Sequence, residues 1–204
     1  IDRFQGRNFL SCSLSVGIPN LWGGLGRDDP RASRVGAGGD FVKFNLSIER
    51  FQKFLLGTYL WMRASGQVAL DVLPASEQFS IGGIDTVRGF PPSEYLGDQG
   101  YTASLGWIIP FPSFADVEIP LKGGMNLREM VKFVGFIDYG RVYLKEPLPG
   151  EDESNEIAGA GVGLRLNLPY DLGVRLDVGF PVGRTRPSDG SEYHIYLGVA
   201  KRIF

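Results

Sequence analysis

The sequence predicts an all-β chain built as an antiparallel transmembrane β-barrel. Three observations carry this expectation. Apolar and polar residues alternate in eight separate segments, most of those segments reach nine or more residues, and long connections recur between short ones. Globular strands usually span about five or six residues, whereas a tilted strand crossing a bilayer needs about nine to eleven.

The elements follow in order from period-two counting. The first sets Leu10, Cys12, Leu14, Val16 and Ile18 against Ser11, Ser13, Ser15 and Gly17. The second alternates Val42, Phe44, Leu46 and Ile48 with Lys43, Asn45, Ser47 and Glu49. The third has Leu56, Leu60, Met62 and Ala64 against Tyr59, Arg63, Ser65 and Gln67. A fourth has Tyr101, Ala103, Leu105, Trp107 and Ile109 against Thr102, Ser104 and Gly106. The fifth, from Val131 to Tyr143, alternates less sharply and is apolar on both faces.

In the sixth, Ala158, Ala160, Val162, Leu164 and Leu166 oppose Gly159, Gly161, Gly163, Arg165 and Asn167. The seventh opposes Leu172, Val174, Leu176, Val178 and Phe180 to Gly173, Arg175, Asp177 and Gly179. The last sets Ile195, Leu197, Val199 and Ile203 against His194, Tyr196, Gly198 and Arg202 and ends in Phe204, as terminal strands of outer-membrane barrels do. No segment has the pattern of an amphipathic helix.

The connections fit a barrel with long loops on one side and short turns on the other. Long loops are expected at 19–39, 72–98, 145–156 and 183–192, with short turns at 52–54 and at the LPYD of 168–171. The connection 110–130 is longer than a periplasmic turn should be. A soluble β-sandwich or lipocalin-like barrel also alternates. Neither would collect Arg, Lys, Glu and Asp on one face in four strands, whereas a hydrated lumen accommodates them.

Composition bounds the function. With 204 residues the chain is one domain, 1–204, and its net charge of −2 argues against nucleic acid as a partner. No run reaches the ~18 apolar residues of a spanning helix, but a barrel hides its membrane signal because only alternate residues face lipid. Gly, at 29 residues, is about twice its usual share of ~7%. The single Cys12 excludes an internal disulfide. The first residues carry no signal-peptide pattern and no initiator Met, so a processed chain or a fragment is expected.

Catalysis is not expected. The only His is His194, read as a luminal or interfacial side chain, and Ser or Cys nucleophile motifs are absent. No cluster has metal-ligand spacing, so neither metal nor cofactor is implied. Glu151, Asp152 and Glu153 read as a solvated loop tip.

The informative stretch is FSIGGIDTVRGFPPSEYLGDQG, residues 79–100. Its Val87-Arg88-Gly89-Phe90, with Ser80-Ile81-Gly82-Gly83 before it and Gly97-Asp98-Gln99-Gly100 after it, resembles the long loop of a superfamily of outer-membrane translocators and assembly factors. That superfamily includes BamA and the two-partner-secretion transporters, and the flanking residues look most like the secretors of haemolysins and adhesins. A second motif of the superfamily matches Phe136 and Asp138 within FIDYG, and the resemblance makes these two and Gly140 the barrel-wall partners of the loop. The resemblance implies a bacterial outer-membrane location and a loop, 72–98, that folds back into the barrel. It also implies that the eight strands are nine to sixteen of a sixteen-stranded barrel, without the periplasmic polypeptide-transport-associated domains and the first eight strands.

Phe136 and Asp138, two apart, share one face of their strand. If Lys132 marks that face as luminal, Asp138 points inward. The family pattern then brings Arg88 within reach to pair with it, with Phe90 packing near Phe136, glycines supplying the turns, and Pro91 and Pro92 stiffening the return.

An eight-stranded barrel has no room for such a loop. The strands should therefore pair with the missing N-terminal strands or with a second copy of the chain. The implied partners are outer-membrane lipid and an exported polypeptide, and the implied activity is translocation of an unfolded exoprotein. Two alternatives stay open: insertion of outer-membrane proteins, as in BamA, and a barrel anchoring a surface enzyme, as in patatin-like phospholipases.

Overall fold

Alternation of β-branched, aromatic and leucine side chains with small or charged ones favours pleated strands with two chemically distinct faces. The computed structural model describes residues 5–21, 25–26, 29–111 and 127–201. Within it lie β1 (Gly6–Val16), β2 (Val42–Lys53), β3 (Tyr59–Ala69), β4 (Phe79–Ile81), β5 (Tyr95–Gly97), β6 (Gln99–Pro110), β7 (Val131–Tyr143), β8 (Ser154–Leu168), β9 (Leu172–Val182) and β10 (His194–Lys201). Eight of them form one antiparallel sheet in the order β1-β2-β3-β6-β7-β8-β9-β10. Among the described residues β1 and β10 do not pair, so the sheet is open and both edges are free.

The two remaining strands lie inside the long connection between β3 and β6. There β4 and β5 form a small hairpin sheet, with Phe79 opposite Gly97 and Ile81 opposite Tyr95. It packs across β6 and β7. We call the covered side of the large sheet its inner face. Its core is the cluster of Ile81, Val87, Phe90, Val142 and Ile157, with Phe79 and Tyr95 packed against it. Full burial of each large side chain there contributes about 1.5–3 kcal/mol.

The structure differs from the sequence expectation in several places. The loop expected to be irregular contains β4 and β5, which are too short to show alternation. Leu56 is not in a strand: β2 continues through Gln52 and Lys53, and the chain turns at Leu55–Gly57, with Leu56 at φ +55°. The expected loop 145–156 is shorter, because Ser154, Asn155 and Glu156 extend β8 opposite Tyr143, Val142 and Arg141. A four-residue helix, α1 (Leu127–Met130), precedes β7. Residues 112–126 of the long connection, and the terminal Arg202, Ile203 and Phe204, lie outside the described residues.

The outer face is apolar and bare. Leu10, Leu46, Leu105, Ile137, Val162 and Leu197 are all exposed on it, one or more from nearly every strand. A patch running across a whole sheet is far beyond the few hundred Å² that soluble monomers expose.

This arrangement predicts a labelling pattern for the full-length protein reconstituted in lipid vesicles. Cys12 is itself exposed on the outer face, opposite Leu46, and must first become Ser. In that background, Leu46→Cys and Leu197→Cys should resist a membrane-impermeant maleimide, and Asn45→Cys should react. Strong labelling at 46 and 197 with none at 45 would overturn the assignment of faces.

Candidate functional site

The loop reaches the inner face through Val87-Arg88-Gly89-Phe90. Arg88 is 1% exposed and Phe90 0%, although neither belongs to a strand. Between them Gly89 takes φ +103°, and a Cβ there would stand 2.6 Å from the carbonyl carbon of Phe180. Both facts require glycine. The wall makes room in the same way. A Cβ on Gly159 would overlap the carbonyl oxygen of Arg88, and one on Gly179 would stand 2.6 Å from the Gly89 nitrogen. A Cβ on Gly140 would press on Val87 Cγ2 at 2.9 Å. The glycine-rich inner faces of β7, β8 and β9 thus form a seat for backbone.

In that seat Arg88 makes a forked pair with Asp138: Nε donates to Oδ2 at 2.7 Å and Nη2 to Oδ1 at 2.8 Å. The Arg88 backbone N–H donates to Asp138 Oδ2 as well, at 3.1 Å. The guanidinium is centred 3.4 Å above the ring of Phe136, a cation–π contact in a desolvated site. Phe136 therefore lies beneath Arg88. Phe90 joins the cluster with Val142 and Ile157. Residues 136, 138 and 140 share one face of β7, so Phe136 meets the guanidinium face of Arg88, Asp138 its fork, and Gly140 the side chain of Val87.

A second carboxylate completes the site. Asp177 of β9 is 0% exposed and accepts from Arg88 Nη1 at 3.3 Å. It also accepts from Arg165 Nη1 at 2.6 Å and from Arg175 Nε at 2.7 Å. Arg175 reaches onward, donating to the carbonyl of Ile84 at 2.8 Å. Forked, charge-assisted bonds of this kind are the strong ones, and here they satisfy two carboxylates that would otherwise be buried at heavy cost.

From β10, the Tyr196 hydroxyl donates to the Phe90 carbonyl at 2.6 Å and accepts from the Gly89 N–H at 3.0 Å. His194 spans the Gly89 carbonyl, 3.1 Å from Nδ1, and Asp189, 2.9 Å from Nε2. The N–H of Ser191, together with His194, holds the Asp189 carboxyl below its usual range.

Asp98, at the end of the loop, is a second node. It is 0% exposed and accepts from Leu73 N at 2.8 Å, Gln78 Nε2 at 3.2 Å, Arg34 Nη1 at 2.7 Å and Lys145 N at 2.7 Å. It ties the β1–β2 loop and the β7–β8 loop to the base of the hairpin. Sequence reading singled out Val87, Arg88, Gly89, Phe90, Phe136, Asp138 and Gly140 but gave Asp177, Asp98, Tyr196, Gly159 and Gly179 no role in the site. Asp177 alternates like any inner-face residue, and no local signal marks Asp98 as buried. The one usable hint was the density of glycine in β8.

The site holds the loop through Arg88, Gly89 and Phe90. Among the described residues no three His, Cys, Asp or Glu side chains are grouped to hold a metal ion.

With this geometry in place, comparison with known proteins is informative. Residues 4–166 match the family model described as haemolysin secretion/activation protein ShlB/FhaC/HecB. The chain belongs to that family. That family is one of β-barrel secretion proteins of the bacterial outer membrane. Among solved structures the fold is similar to BamA from Haemophilus ducreyi lacking POTRA domains 1–3, with 18% identity and a TM-score of 0.53. The alignment covers 78% of this chain and 35% of that one, so the chain spans about a third of the length of that shortened BamA. No curated protein matches significantly.

The site makes an energetic prediction. Removing Arg88 leaves two carboxylates buried without their shared cation, a loss that typically costs about 3–5 kcal/mol. In a double-mutant cycle of Arg88→Ala and Asp138→Ala, urea unfolding of the full-length protein in vesicles should give a coupling energy above about 1.5 kcal/mol. Additive losses would show that the two side chains do not act together.

Proposed function

We propose that this chain forms part of the wall of a two-partner-secretion pore that exports an unfolded exoprotein, and that the Val87–Phe90 loop is pinned inside that pore by Arg88. The observation that carries the proposal is the buried Arg88–Asp138–Asp177 cluster, which fastens a loop against the polar face of a sheet whose other face is apolar. Family membership supports secretion as the activity, with the exoprotein as cargo and lipid around the outer face. The free edges of β1 and β10 call for further strands, either from the same polypeptide or from a second copy. In this reading the protein does mechanical work on a chain and is not an enzyme. It uses no cofactor.

A pinned loop narrows the conduit and sets the path an unfolded chain takes past the inner face. Export then depends on where the loop sits, and on both halves of its seat. Arg88→Ala removes the fork, and Gly159→Val pushes the loop backbone from below.

Each substitution should cut exoprotein recovered from the medium by tenfold or more, equivalent to at least about 1.4 kcal/mol, with the amount of barrel in the outer membrane held equal. Undiminished export by both variants would contradict the proposal. Normal export with a fall in other outer-membrane proteins would point to insertion instead.

A further inference from the structure

At the end of the sheet where the short turns lie, the inner face carries a cavity of about 850 Å³ that the loop does not fill. Arg7 of β1, Lys53 of β2, Lys132 of β7 and Arg165 of β8 line it, together with Phe9, Phe51, Tyr59 and Ile108. Among the described residues that line it none is acidic. Among the described residues Arg7, Lys53 and Lys132 make no ion pair, while Arg165 shares Asp177 with Arg175.

The register sharpens the point. Lys132 stands directly opposite Arg165, and Arg165 directly opposite Arg175. Like charges facing each other across strands are destabilising. Asp177 relieves the Arg165–Arg175 contact but gives nothing to Lys132. A sheet that keeps a row of cations and a further cationic pair at one mouth, in a chain of net charge −2, has concentrated positive potential there.

The aromatic residues bear on the occupant. Phe9 and Phe51 meet edge to face, with ring centroids 6.3 Å apart, and Tyr59 lies opposite Lys53. A cavity with both apolar rings and free cations suits a ligand that alternates apolar and anionic groups along its length. A small inorganic anion uses only the cations.

Resting on the export reading above, we infer that this turn-end cavity is a binding site for an acidic, extended stretch of the exported polypeptide, engaged before the chain passes the Arg88 clamp. Its carboxylates pair with Arg7, Lys53 and Lys132, and its apolar side chains lie on Phe9, Phe51 and Tyr59. Binding is electrostatic and reversible, so it falls as salt rises.

The test uses the full-length protein in detergent micelles and fluorescently labelled twelve-residue peptides, read by anisotropy. Poly-glutamate should bind, and poly-lysine and poly-glutamine should not. An Arg7→Gln/Lys53→Gln/Lys132→Gln variant should weaken poly-glutamate binding by about tenfold or more. A Lys53→Arg/Lys132→Arg variant, which keeps the charge, should retain it. Equal binding of all three peptides, or an unchanged affinity in the neutral variant, would overturn the inference. Because peptide binding is read without transport, a pore that fails to export would refute the export reading and leave this measurement to stand or fall separately.

Discussion

A guanidinium with 1% exposure, carried by a loop, is the constraint on which the rest of the structure depends. Desolvating that charge is affordable only because Asp138 and Asp177 receive it and Phe136 lies against its face. Those partners in turn fix where the loop backbone runs. The backbone then demands Gly89 in the loop and Gly159 and Gly179 in the wall, and the Val87 side chain demands Gly140. The chain of causes runs from one buried charge to glycines on three neighbouring strands.

The loop is held at two places of different character. At its tip the hold is ionic and central. At its base Asp98 gathers donors from three separate segments, so the rim loops and the hairpin are one hydrogen-bonded assembly. Such networks have discrete arrangements, made or broken, because a half-satisfied buried carboxylate is costly. A loop of this kind is expected either to stay seated or to leave as a unit.

Much of this fold was readable from alternation alone. The run read from Val131 to Tyr143 has the bounds of β7, and the outer apolar face follows from residues such as Leu46 and Leu197. What alternation misses is local backbone conformation and distant contact. Leu56 continues the apolar register of β3, yet it sits in a left-handed turn that its neighbour Gly57 completes. The three residues of β4 are too few to carry a period. Arg88 and Asp138 could be paired only because a family pattern joined them across 50 positions, and Asp177, 89 positions from Arg88, carried no comparable mark. Asp98 was quoted for its motif, but its burial arises from donors at positions 34, 73, 78 and 145, which no window of sequence contains.

The central claim is that the Val87–Phe90 segment is part of the packed inner wall and not a surface loop. Amide hydrogen exchange on the full-length protein in vesicles tests it most directly. The N–H of Arg88 is held by Asp138, that of Gly89 by Tyr196, and that of Gly83 by the carbonyls of Val87 and Phe90. Peptides covering 83–90 should therefore exchange as slowly as those from β7 and β8, and Arg88→Ala should bring them to the rate of the 183–193 loop. Exchange in the unaltered protein already as fast as that loop would contradict the account.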